Sequence, residues 1–247
     1  MRLGTFCIIG LLLTIELASS QTVKIASPTP TPALPELRPA LVGTGSNALI
    51  NTIDTADLIK KGQKDAAVMF SCLVAPTGDV VRSGAYRGTK GSELLEKEVL
   101  KHLASTKFAP AIHNHQPVIA VFYGTATFAV VNGKPRLRVF ANQQLDELKK
   151  ESDFIDPQPY VGQDSKFTGT HYPEVPTTVS LTGAVELAVE VDAAGNLKSM
   201  QVVTEQPPYL GFGQGALSDF NGARFIPAFR NGKPVDSKVT IHVYYKR

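Results

Sequence analysis

Val185, Leu187, Val189 and Val191 alternate with Glu186, Ala188 and Glu190, the period of two that turns one face of a strand to a core and the other to water. The alternation predicts a strand over residues 183–192. Ala193, Ala194, Gly195 and Asn196 follow as a turn in which Gly195 can take a positive φ, and residues 197–204 return as a second strand. The same hairpin is written earlier in the chain as residues 66–75, a turn at Pro76, Thr77, Gly78 and Asp79, and residues 80–86. Each hairpin is followed by apolar residues at i, i+4 and i+8: Leu95, Val99 and Leu103, then Phe212, Ala216 and Phe220. That spacing stacks them on one side of a helix lying on the hairpin. Ser92 is the predicted N-cap of the first helix, with Glu93 in its first turn. Phe108, Pro110 and Ala111 close one helix, and Phe225, Pro227 and Ala228 close the other, because proline ends a helix. A last strand then shows Val239, Ile241, Val243 and Tyr245 alternating with Lys238, Thr240, His242 and Tyr244. The expected fold is α+β: two tandem β-β-α-β units, each a small antiparallel sheet with one helix packed on it.

The two units are related by a single offset. At 117 positions, residues 66–128 lie over residues 183–245 without a gap, with identities such as Val68/Val185, Gly78/Gly195, Phe108/Phe225, Pro110/Pro227 and Asn114/Asn231. A period this long excludes a solenoid and points to a duplicated domain. Between the units, residues 128–140 predict a hairpin around Asn132 and Gly133, and residues 142–151 a charged helix before Asp156, Pro157, Gln158 and Pro159. This stretch is expected to connect two domains that move relative to each other. The resulting division is a signal segment at 1–20, a Pro-rich tether at 21–48, a first domain at 49–140, a connection at 141–165 and a second domain at 166–247.

Composition narrows the class. Apolar residues make up 43% and charged residues 19% of the 247, which excludes a disordered or collagen-like chain. The formal charge of +3 is spread without a basic block, so no nucleic-acid partner is expected. Arg2, the apolar run 6–15 and the small residues Ala18, Ser19 and Ser20 read as a cleaved secretory signal, too short in its apolar part for a retained membrane span. Cleavage would leave Cys72 as the one cysteine, hence no internal disulfide. Prolines at 28, 30, 32, 35 and 39 favour an extended tether that reaches only ~40 Å at about 3.1 Å per residue.

With these elements in place, the second unit resembles the C-terminal domain of the TonB family of energy transducers. The resemblance rests on Tyr172 and Pro173, the segment 183–195, Ala216 and Leu217, the segment 224–228, and Gly232 to Val235, in that order and spacing. The first unit matches more weakly, through Gly78, Phe108, Pro110, Ala111, Pro117 and Val118, and has Thr55 and Ala56 where the Tyr-Pro pair would stand. The resemblance implies a periplasmic or secreted domain without a catalytic centre, cofactor or metal. Its implied partner is an extended segment of an outer-membrane or other envelope protein, gripped by strand addition. An unpaired sheet edge suits that use. The candidate docking edge is Lys238, Val239, Thr240, Ile241, His242, Val243 and Tyr244, with Tyr172 and Pro173 beside it. The cleavable signal, short tether and second domain depart from an energy transducer, so the chain is expected to bind and not to transmit energy. The alternative is a scaffold that self-associates by edge pairing.

Other constellations have blander explanations. Gly211, Gly213 and Gly215 open a helix without the Lys-Ser/Thr pair of a phosphate loop. His113 and His115 flank Asn114 but lack a cysteine or carboxylate at metal-ligand spacing and read as a surface turn. Cys72 occupies an inward strand position and reads as a buried, inert thiol.

Overall fold

The computed structural model describes residues 33–174 and 181–246; the expected signal segment and the start of the tether lie outside the described residues. The described chain begins with β1 (Leu37–Arg38), β2 (Leu41–Val42), and two short helices, α1 (Leu49–Thr52) and α2 (Thr55–Lys60). Then come the hairpin β3 (Ala66–Val74) and β4 (Val80–Gly88), the helix α3 (Glu93–Leu103), and β5 (Phe108–Ala109), β6 (Ala111–His113) and β7 (Gln116–Val131). The connection holds β8 (Lys134–Phe140), α4 (Leu145–Lys150) and β9 (Gln158–Val161). The second unit is β10 (Gly183–Val191), β11 (Leu197–Gln206), α5 (Phe212–Phe220), β12 (Phe225–Ile226), β13 (Ala228–Arg230), β14 (Lys233–Val235) and β15 (Ser237–Tyr245). The fold is α+β, as the periodicities predict.

In both units the helix lies on the face of the hairpin that the alternation marks as apolar. Leu95, Val99 and Leu103 of α3 are fully buried, as are Phe212, Ala216 and Phe220 of α5. Ser92 stands at the N-cap of α3 but makes no side-chain cap bond. Instead Gln63 Oε1 accepts from the Leu95 backbone N–H at 2.8 Å, a cap from outside the helix that sequence spacing does not reveal.

The 117-residue offset holds in the ladders as well as in the letters. All nine antiparallel pairs of β3 with β7, from Ala66 opposite Phe128 to Val74 opposite Ala120, map onto the nine pairs of β10 with β15, from Gly183 opposite Tyr245 to Val191 opposite Ser237. The irregularities map too: β3–β4 shifts register at Met69/Phe70 and Leu73/Val74, β10–β11 at Glu186/Leu187 and Glu190/Val191. Gly78 and Gly195 both hold positive φ, 82° and 78°, with the Phe108 and Phe225 carbonyls pressed where a Cβ would stand. The Phe108 and Phe225 amides donate to the Gly78 and Gly195 carbonyls at 2.9 and 3.0 Å.

Around this shared frame the sheets differ. The second unit keeps the three strands β11-β10-β15. The first sheet grows to eight strands, because β7 is 16 residues long and takes β8 along Thr125 to Val131 and β9 at Ile119 and Ala120. The β7–β8 turn is the expected tight one, with Asn132 and Gly133 at φ 52° and 74°.

The connection is not a loose linker. Asn142, Gln143, Asp156 and Gln158 are buried, and β9 pairs with both β7 and β12, stitching one unit to the other. From Ala33 onward the chain forms one compact unit. The described end of the tether is docked as well. β1 pairs with β6 and β2 with β5, and the Gln158 side-chain amide takes both the N–H and the C=O of Ala40, at 2.7 and 3.0 Å.

Candidate functional site

β15 pairs with β10 on one side only, so its other side is the last edge of the second sheet. Backbone groups along such an edge alternate between the neighbour and the outside. Thr240 fixes the phase: its N–H donates to Gln144 Oε1 at 3.2 Å and its C=O accepts from Gln144 Nε2 at 3.0 Å. The outward set is therefore Lys238, Thr240, His242 and Tyr244. Val239, Ile241 and Val243 turn their side chains into the core under α5. Of the seven expected edge residues, four can offer hydrogen bonds outward and three support them from behind. One of the four, Thr240, is already occupied by Gln144.

The side chains of His242 and Tyr244 lie against the first unit. His242 stacks on Tyr86 with ring centroids 5.1 Å apart, and Tyr244 lies 6.5 Å from the same ring. His242 Nδ1 is 3.0 Å from Gln143 Oε1, while its Nε2 lies 3.4 Å from Glu186 Oε1. Arg87 of β4 pairs with that same glutamate. Burial holds the His242 imidazole below its ordinary pKa, with Arg87 adding to the effect and Glu186 opposing it. Lys238 is exposed at the opposite end, 3.3 Å from Glu190.

Behind the glutamines sits Asp156, a buried carboxylate. Its Oδ2 accepts from the Gln143 backbone N–H at 2.8 Å and from Gln144 Nε2 at 3.1 Å. Burial pushes this carboxyl up to about 7, against the pull of those two hydrogen bonds. Gln143 also donates to the carbonyls of Phe70 and Gly124. The pair Gln143–Gln144 thus joins the sheet of the first unit to the edge of the second. Nothing local marks these glutamines in the sequence: they sit in a polar connection outside the repeat, and their role exists only once both units are packed.

Tyr172 and Pro173 are near the end of β15 but not along its edge. Tyr172 meets Phe212 and Tyr245 edge-on, at 5.6 and 6.5 Å, and its hydroxyl donates to the Leu181 carbonyl at 2.8 Å. Pro173 packs over Gly215 of α5. Both secure the entry to β10. Beside them a cleft of about 500 Å³ opens between the units, with Arg82, Gly84, Thr170, Tyr244 and Lys246 among its lining residues.

The remaining constellations can now be placed. Among the described residues no group of three or more His, Cys, Asp or Glu side chains is placed to hold a metal ion. His115 Nδ1 lies 2.8 Å from the Leu34 carbonyl and His113 Nε2 lies 3.1 Å from the Tyr160 hydroxyl. The N-terminus of α5, where a phosphate would sit, is filled by Glu205, whose Oε1 accepts from the Leu210 and Phe212 amides at 3.1 and 2.9 Å. Cys72 is buried, and burial raises its thiol pKa. No helix among the described residues is long and apolar enough to cross a membrane.

No curated protein matches the chain. Residues 168–246, which contain Tyr172, Pro173 and all of the second unit from β10 to β15, match the model of the family described as Gram-negative bacterial TonB protein C-terminal.

Proposed function

We propose that this chain is an exported envelope protein that captures an extended segment of a partner through the β15 edge of its TonB C-terminal-like unit. The implied site is periplasmic, and the implied partner is an outer-membrane or other envelope protein. The observation that carries this reading is the contrast between equivalent strands: β7 is covered on its outer side by β8 and β9, whereas β15 pairs with β10 alone. Main-chain pairing along such an edge supplies affinity, and pockets for alternate side chains supply selectivity. The shared register supports reading residues 66–128 as a second copy of the domain, with its edge used inside the chain. Interaction and not catalysis is the role the matched family supports.

The test is capture from an envelope extract of the native organism, with residues 21–247 as bait. Recovery of an outer-membrane transporter is expected, and a Tyr244→Pro bait, which lacks one outward N–H, should lose it while keeping the near-UV circular dichroism of the native chain. Equal recovery by both baits would move docking away from β15. Recovery of the chain alone would favour the self-pairing scaffold.

A further inference from the structure

The hairpin of β7 and β8 ends in a short, stiff tip. Residues 129–140 lie beyond the stretch 66–128 that repeats at 183–245, and outside the residues that match the family model. The last rungs pair Ala129 with Arg136, Val130 with Pro135 and Val131 with Lys134, and Asn132 and Gly133 close them in a two-residue turn. Opposite residues share a face, and successive rungs alternate between faces. Val131, Lys134 and Arg136 therefore stand on the face away from the core, while Val130 continues the row of buried Phe128 past the end of the core. The two valines are left 42% and 45% exposed. Basic residues surround them. Lys134 and Arg136 are exposed on β8, and α2, which packs against β8, ends in exposed Lys60. Asp65 Oδ1 accepts from the Val130 N–H at 2.9 Å, which holds exposed Lys64, one residue earlier, at the root of the tip. Lys61 pairs with Asp57 and Arg138 with Glu151, but Lys60, Lys64, Lys134 and Arg136 have no ion pair among the described residues.

We infer that this tip docks on an anionic lipid surface, with Val130 and Val131 entering the acyl boundary and the four free cations meeting headgroup phosphates. The inference concerns the first unit and is independent of docking at β15. Aliphatic side chains ringed by unpaired cations suit the boundary between acyl chains and anionic headgroups, where burial and charge attraction act together. Strand residues rise about 3.3 Å apart, so Arg136 sits about 7 Å behind Lys134, at headgroup depth once the tip is in. Lys134, opposite Val131, can keep its aliphatic stem beside the valine while its ammonium reaches back to the phosphates. The tight turn holds this arrangement before contact, so little ordering is needed on docking. Each basic residue near such a surface raises affinity about fivefold, an effect that salt screens.

The experiment measures co-sedimentation of residues 21–247 with phosphatidylcholine vesicles that contain or lack phosphatidylglycerol. Binding is expected only with phosphatidylglycerol, weakening as salt is added, and falling at least tenfold in Lys134→Glu/Arg136→Glu. Lys198→Glu/Lys233→Glu, an equal change of net charge at exposed positions of the second unit, should bind as the native chain does. Native circular dichroism in each variant keeps misfolding from passing as lost binding. The sequence has no tryptophan, so Val131→Trp places a single indole at the tip, and its emission should shift to the blue on phosphatidylglycerol vesicles. No binding to those vesicles overturns the inference, as do equal binding to phosphatidylcholine alone and equal losses in the two charge-reversal variants. Binding with an unshifted indole refutes entry of the tip. If tip reversal leaves vesicle binding unchanged and instead abolishes capture of an acidic envelope protein, the tip serves that protein and the lipid surface is excluded.

Discussion

Gln144 and Thr240 are joined by two hydrogen bonds, N–H to Oε1 at 3.2 Å and Nε2 to C=O at 3.0 Å, so one side-chain amide stands in for a neighbouring strand. Gln158 does the same for Ala40. A primary amide carries both the donor and the acceptor that an edge residue needs, and the chain uses this chemistry twice to close backbone groups that no strand covers.

Gln144→Ala uncovers Thr240 and takes a donor from Asp156. Each lost hydrogen bond at a partly buried site costs about 1 kcal/mol, so urea unfolding should show a loss of roughly 1–3 kcal/mol. Amide exchange at Thr240 should accelerate at least tenfold while that of Ile241, bonded toward β10, stays close to the native rate.

Asp156 gives the fold an unusual pH dependence. The folded carboxyl holds its proton up to about 7, against an ordinary value of 3.8, so between those values the folded state binds the extra proton. Its stabilising contribution is complete below the lower value and is lost as pH rises through the upper one, by at most about 4 kcal/mol. His242 runs the other way: its folded pKa lies below 6.5, so its contribution is complete above 6.5 and is lost as pH falls through the folded value. Urea unfolding of Asp156→Asn, compared with the native chain near pH 5 and pH 8, should show the variant relatively more stable at the higher pH. An identical pH profile for the two would remove Asp156 from this role.

The turn glycines test the frame shared by the two units at the level of energy. Gly78→Ala and Gly195→Ala each force a Cβ onto a backbone carbonyl at positive φ, and each should cost about 1–3 kcal/mol in thermal unfolding. Gly133 has positive φ but open space around it, so Gly133→Ala should cost less than either.

Gln63→Ala removes the outside cap of α3. Its Oε1 serves the Leu95 amide and its Nε2 serves the Lys64 and Gly91 carbonyls. A loss of about 1–2 kcal/mol is expected by chemical denaturation, whereas Ser92→Ala, at a position with no cap bond, should cost less.

The frame of each unit was legible because it is written in periodicities that local geometry enforces. Val185, Leu187, Val189 and Val191 can share a face only in a strand, and Phe212, Ala216 and Phe220 only in a helix. The offset between the units was legible because the turn at Gly195 and the plug at Phe225 depend on each other, so both recur at Gly78 and Phe108. What lies between the units was not. Gln143, Gln144, Asp156 and Gln158 read as a polar linker, and their burial follows from packing two surfaces that the sequence does not pair. The edge itself could be located from alternation, but its closure at Thr240 depends on a residue 96 positions away, with no pattern linking the two.

The most direct test of docking at β15 is cross-linking in intact cells, with a photoreactive amino acid in place of Tyr244 or, on the outer strand β11, in place of Gln201. The expected result is an adduct between position 244 and an extended segment of an outer-membrane transporter, with none from position 201. An adduct from position 201 and none from position 244 would contradict docking at β15.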